Sequence, residues 1–264
     1  MIKLFYKFLK YYKDYRDLYF ILIWKQFSVR YKQAILGVVW AVIQPLSLMG
    51  IFTLVFSRIM PVKISTLPQP IFFYSGLLPW AFFSSSVNYS IPSLVSNYDL
   101  IRKIYFPREI LPIAGIAIAF IDFMIAAVIF IILLFLYHIP ITWCALYFLP
   151  LVALLLLFTI SFCLILTVVN VYYRDVQLAI NFLLQLWFFA TPIFYPIGMI
   201  PAKYKFFIYL NPLCFIIDSI RKSVIGGAPI SPYAFLFMFC YAIILFVISF
   251  NFFRIAERKF ADVL

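Results

Sequence analysis

The stretch Leu100–Pro112, LIRKIYFPREILP, decides the fold. It gathers Arg102, Lys103, Arg108 and Glu109 into a few residues of a chain that is only 11% charged, with long apolar runs on both sides. A charged side chain at the centre of a bilayer costs roughly 2.5–3.5 kcal/mol on insertion scales. The island is therefore a loop at one membrane face, and the runs beside it are spans.

The rest of the composition agrees. Of 264 residues, 67% are hydrophobic, and the mean hydropathy is +1.09. Soluble domains are about 45–50% apolar, so this is an all-α integral membrane protein. Seven glycines, 16 prolines and no repeat leave little room for flexible linkers. We expect an interface region over residues 1–33 and one membrane domain over 34–264. The net charge of +12 reflects where membrane proteins place Lys and Arg, not nucleic-acid binding. Cys144, Cys163, Cys214 and Cys240 stand singly and far apart, which reads as packed thiols rather than a disulfide framework.

In residues 1–33, Leu4, Phe5, Phe8, Leu9 and Tyr12 recur near helical spacing, while Lys3, Lys7, Lys10 and Lys13 fall largely elsewhere. That is the pattern of an amphipathic helix in the headgroup layer. Asp17 is placed to cap a second short helix running to about Tyr31. The segment lacks the apolar core and small-residue cleavage site of a signal peptide, so it is expected to be retained.

A hydrocarbon core of about 30 Å needs about 20 apolar residues of helix. Six stretches meet or approach this: Ala34–Ser57, Ile71–Ile91, Ile110–Tyr137, Thr142–Val169, Val176–Tyr195 and Tyr233–Phe253. An even number places both termini on one side. With the N-terminus inside, 15 of the 21 Lys and Arg residues lie inside; the others are Arg58, Lys63, Lys203, Lys205, Arg221 and Lys222. The positive-inside rule then sets both termini and the Leu100 loop on the cytoplasmic face. The external connection Pro196–Ile230 is too apolar for a solvated loop and is broken at Asn211-Pro212. Two short helices dipping into the outer leaflet fit it, as does an interfacial helix with snorkelling Lys203 and Lys205.

No glycine is followed by Lys, which excludes a Walker A phosphate loop. The single histidine, His138, falls at a predicted external turn, and no Cys/His/carboxylate cluster has metal-ligand spacing. Asp122 is the one acid deep within a span. Such a group marks either function or polar contact between helices, with Asn88 or Asn181 as candidate partners. Aromatic residues make up 22% of the chain. Trp40, Trp80 and Trp143 lie near span ends and read as interfacial belts. The mid-span clusters Phe82-Phe83 and Trp187-Phe188-Phe189 are candidates either for core packing or for lining a path for a sugar chain.

Six segments, in order, resemble the permease subunit of ATP-binding-cassette (type 2) exporters for polysaccharides, the O-antigen, capsule and teichoic-acid type. They are RYKQAILGVVWAVIQPL at Arg30–Leu46, SGLLPWAFFSSS at Ser75–Ser86, LIRKIYFPREILP, NVYYRDV at Asn170–Val176, TPIFYP at Thr191–Pro196 and NPL ending at Leu213. The resemblance implies a six-span homodimer with an amphipathic cytoplasmic helix near residues 2–31 and a channel between the copies. Two copies of a separate ATPase would dock on the loop between the second and third spans, carrying ATP and Mg themselves. This chain would then be no enzyme. Arg102, Lys103, Tyr105, Phe106, Arg108 and Glu109 would sit in or beside the coupling helix, and Lys203–Gly227 would form re-entrant gate helices. Within that segment, Asp218 can pair with Arg221 or Lys222 at i+3 and i+4, or the cations can meet an anionic substrate.

The expected cargo is a lipid-linked polysaccharide on an undecaprenyl-diphosphate-type carrier in the bacterial inner membrane. Arg30 and Lys32 are candidates to receive the diphosphate. The alternatives are another cargo for the same machinery, such as teichoic acid, capsule, a small lipid or a drug, or an ion-driven lipid flippase centred on Asp122. A membrane acyl- or glycosyltransferase would need an acid or His constellation that the sequence lacks.

Overall fold

A computed structural model describes residues 15–32, 37–59, 67–104, 106–173, 175–201, 203–204, 211–258 and 260. The amphipathic repeat of Leu4–Tyr12 lies outside the described residues. Among the described residues, the α-helices of six residues or more are, in chain order, α1 Arg16–Tyr31, α2 Trp40–Leu54, α3 Gln69–Ser90, α4 Tyr98–Lys103 and α5 Ile110–Leu136. They continue as α6 Phe148–Tyr172, α7 Val176–Ala190, α8 Pro212–Ile220 and α9 Pro232–Glu257. Among the described residues there is no strand.

Among the described residues, four helical segments are long and apolar enough to cross a membrane: Trp40–Ile59, Ile110–Leu136, Trp143–Tyr172 and Pro232–Glu257. Two of the six expected spans are not of this kind. Val176–Ala190 has 15 residues, or about 22 Å of helix at 1.5 Å per residue, because Thr191 turns extended ahead of Pro192, as a residue before proline must. The other, α3, has 22 residues but carries Ser75, Gly76, Ser84, Ser85, Ser86 and Asn88.

The reason is position. Every residue from Ile71 to Trp80 is buried, since α3 is wrapped by α2, α5, α6, α7 and α8. A helix facing protein all round has no lipid to satisfy, and its small residues allow close approach. Gly115 of α5 shows this: a Cβ there would lie 3.0 Å from the backbone of Tyr89.

Polar bonds stitch the same helix to its neighbours. Tyr74 donates to the Ala126 carbonyl at 2.9 Å, and Ser90 donates to that of Pro112 at 3.0 Å. At the C-terminal end of α3, where helical carbonyls lose their partners, Thr167 donates to Ser90 O at 3.1 Å and Asn170 to Ile91 O at 3.1 Å.

Several local expectations change. Asp17 is not a cap: Tyr15 holds the N-cap position, and Asp17 pairs with Arg16 at 3.5 Å in the first turn. His138 closes α5 in the left-handed region at φ 53°, and Ile139 N–H reaches back to Leu134 O at 3.0 Å. It thus fills a position more usual for glycine. Trp143 is exposed, but Trp80 is buried against Phe83 and Phe188 instead of standing in a belt.

The core has two parts. A large cluster centres on α3, α5, α6 and α8. A smaller one, at the Arg108 end, joins Leu22 of α1, Phe106, Ile110 and Leu111, Val168 of α6, and Phe253 and Phe260.

Candidate functional site: an aromatic and amide-lined cleft

The four helices α2, α3, α5 and α7 leave a cleft of about 810 Å³ between them. Its aromatic walls are Trp40, Trp80, Phe82, Phe123, Phe188 and Phe189, and amides from three different helices, Gln44, Asn88, Asn181 and Gln185, also face it. Helical spacing accounts for the placement. Gln44 is four residues after Trp40 on α2, and Asn181, Gln185, Phe188 and Phe189 recur at three and four residues on α7, one face of each helix. Ser84 and Ser85 line the cleft too; the Ser84 hydroxyl bonds its own helix at Ala81 O. Apolar faces with a few oriented polar groups are typical of a small-molecule or glycan site.

Asp122 and Arg30 close the cleft on one side. Arg30 Nη2 lies 3.2 Å from Asp122 Oδ2, and the Tyr31 hydroxyl donates to Asp122 Oδ1 in a short hydrogen bond. The guanidinium also sits 4.6 Å from the Tyr89 ring centroid and 5.3 Å from that of Tyr31, cation–π distances. The expected amide partners, Asn88 and Asn181, are not the ones: Asn181 donates to Gln177 O on its own helix. The last turn of α1 reaches the side of α5 and brings a full charge and a phenol to the acid. Lys32, one residue past α1, is exposed and does not line the cleft.

The candidate path residues divide. Phe82, Phe188 and Phe189 face the cleft, whereas Phe83 and Trp187 do not. Phe83 is fully buried behind the wall, edge-on to Trp187 at 5.1 Å and packed on Phe158 and Phe162.

The charged stretch divides as well. Arg102, Lys103 and Ile104 are exposed, with Arg102 donating to the Tyr98 hydroxyl at 2.9 Å. Tyr105 lies outside the described residues. Phe106 is buried in the smaller cluster. Glu109 is fully buried and meets Arg254 Nη2 at 2.7 Å, while Arg108 binds Glu257.

At the opposite end, one of the two pairs that helical spacing offers Asp218 forms and the other does not. Asp218 pairs with Lys222 at 2.6 Å, whereas Arg221 is buried and turned inward. It donates to Pro192 O at 2.6 Å, Ile193 O at 2.5 Å, Phe72 O at 3.1 Å and Ser75 Oγ at 3.3 Å. Its guanidinium lies 3.7 Å over the Phe72 ring. Arg221 thereby ties the start of α3 to the end of α7 and to α8, and it is not displayed to a substrate.

Among the described residues the chain is all-helical, with apolar membrane-length helices and a lined cleft between four of its helices. The family model described as ABC-2 type transporter matches residues 17–225, and the chain belongs to that family. Its relatives include the O-antigen export system permease protein RfbA of Klebsiella pneumoniae, 31% identical over 94% of this chain and 95% of the relative. RfbA of Myxococcus xanthus is 32% identical over 78% and 79% of the two chains. The polysialic acid transport protein KpsM of Escherichia coli is 29% identical over 77% and 79%.

Proposed function

We propose that this chain is the membrane-spanning subunit of an ATP-driven polysaccharide exporter, with O-antigen-type glycan as its cargo. The observation that carries the reading is the cleft, where Trp40, Trp80, Phe82 and Phe188 stand among Gln44, Asn88, Asn181 and Gln185. Aromatic faces pack on sugar C–H surfaces, and amides exchange hydrogen bonds with hydroxyls. Relatives that are O-antigen and polysialic acid transporters along most of their length support the same cargo class.

The cargo is lipid-linked, on a diphosphate carrier of the undecaprenyl type, and Arg30 with Lys32 receives the diphosphate at the inner face. Two copies of the chain pair, and two ATPase subunits supply ATP and Mg chemistry. They bind the exposed Arg102–Lys103–Ile104 surface. The subunit crosses the inner membrane six times with both termini inside, counting α3 and α7 as spans. The described part of α1 lies at the inner interface, with Phe20, Ile21 and Trp24 exposed toward lipid. The segment around α8 is re-entrant from the outer face. The pairing of Asp122 with Arg30 favours a fixed ion pair over the proton relay an ion-driven flippase needs.

The test is purification from the native host in mild detergent, reconstitution into proteoliposomes with the ATPase that co-purifies, and assay of glycolipid movement. ATP-dependent transport of a diphosphate-linked glycan is the expected result. Transport that persists without any ATPase, driven by a proton gradient, overturns the reading.

A further inference from the structure

The two halves of the charged stretch do different things. Arg102, Lys103 and Ile104 are exposed, but a few residues on, beyond Pro107, the chain turns inward. Arg108 N–H donates to Glu257 Oε1 at 3.1 Å, and its guanidinium makes a short hydrogen bond to the Glu257 carbonyl. Glu257 is the last residue of α9, so this carbonyl is one of those a helix end leaves without a partner. A cation is favourable at that end.

Glu109, buried completely, takes Arg254 from the same last turn at 2.7 Å, and Arg254 also approaches Glu257 at 3.7 Å. Around these bonds pack Phe106, Ile110, Phe253, Ala256 and Phe260, with Arg108 5.9 Å from the Phe260 ring centroid. Two adjacent residues are thus joined to the far end of the chain, Arg108 by hydrogen bonds to Glu257 and Glu109 by an ion pair with Arg254, with apolar contact around both.

We propose that Arg254 and Glu257 are positioning residues of the coupling element. They clamp the Arg108–Glu109 turn to the C-terminal end of α9, so a displacement of Arg102–Ile104 moves the starts of α5 and the end of α9 as one body. No slack separates the clamp from α5, because Ile110, the residue after Glu109, is its first residue. Along its length α9 packs on α6, so the motion passes to a third helix. Close-packed interiors transmit such shifts rather than absorb them. The proposal rests on Arg102–Ile104 being the ATPase contact.

Two variants of the co-expressed permease–ATPase complex test it. Glu109→Gln with Arg254→Gln removes both charges together, so no lone charge is left buried. The ATPase should still co-purify and hydrolyse ATP, while glycolipid exported per ATP falls roughly ten-fold. Arg108→Cys with Glu257→Cys, in a background without the native cysteines, allows a short bifunctional thiol cross-link. Under a clamp that stays closed, cross-linking leaves export unchanged.

Wild-type export per ATP in the double Gln variant, or export stopped by the cross-link, overturns the proposal. If the Gln variant does not fold, the cross-link decides alone. Failure of the wild-type chain to retain any ATPase is a different result; it removes the coupling reading beneath.

Discussion

Gly76 and Arg221 compete for one space: a Cβ built on Gly76 would lie 2.8 Å from Arg221 Nη2 and 3.0 Å from Ile193 O. The small residue exists so that a guanidinium 145 positions later can reach three backbone carbonyls. Ser75 next to it accepts a further bond from Nε.

Gly76→Ala should therefore destabilise the folded subunit by about 1–3 kcal/mol, the usual cost of overpacking. Arg221→Lys should also destabilise it, because an ammonium cannot reproduce the planar fork. Thermal unfolding of the detergent-purified chain, followed by intrinsic tryptophan fluorescence, checks both. A wild-type midpoint for Gly76→Ala would show that Arg221 moves aside freely.

The Arg30–Asp122 pair has side chains only 27% and 12% exposed. Removing one partner of a buried pair leaves an uncompensated charge, at a cost of up to about 3–5 kcal/mol, less where water reaches it. Arg30→Gln should then lower the unfolding midpoint more than Arg30→Gln combined with Asp122→Asn does. A double-mutant cycle with additive effects would show that the pair contributes no coupling energy.

The aromatic clusters separate by role. Phe83→Ala and Trp187→Ala cut into packing behind the cleft wall; the fully buried Phe83 should cost about 3–5 kcal/mol and the half-buried Trp187 less. Phe189 is 62% exposed and on the cleft, so Phe189→Ala should stay within about 1 kcal/mol of wild type while lowering export. Parallel melting and surface-glycan measurements on the three variants distinguish packing from path.

Arg102 and Lys103 are exposed, and Arg102→Ala with Lys103→Ala should change stability by no more than about 0.5 kcal/mol. ATPase recovered by affinity purification should nevertheless drop. Unchanged recovery would move the docking surface elsewhere.

Much of this arrangement was legible in the sequence because charge and hydrocarbon exclude each other. The island at Leu100–Pro112 does sit between α3 and α5, and the apolar runs flanking it are helices whose bounds differ by only a few residues from those expected. What could not be read was pairing across the chain. For Asp122 the sequence offers a functional role or a polar contact with candidates such as Asn88 and Asn181 on other spans. Its actual partners, 91 and 92 residues away, come from the end of a helix expected to lie on the surface. Helical spacing offers Asp218 both Arg221 and Lys222, and nothing local reveals that Arg221, at the start of a π-type turn, goes to the carbonyls at the ends of α3 and α7 instead. In the sequence Arg254 counts only toward positive-inside topology; its attachment to Glu109, and that of Glu257 to Arg108, are tertiary facts.

The burial of α3 bears on how the chain is made. The helix carries Gln69, three consecutive serines and Asn88, polar groups that find their place against protein. Its close partners Gly115, Pro112 O and Ala126 O all belong to α5, which follows it in the chain. The contacts that bury the central helix thus rest on residues translated after it, and α3 cannot pack as it does here until α5 has been made.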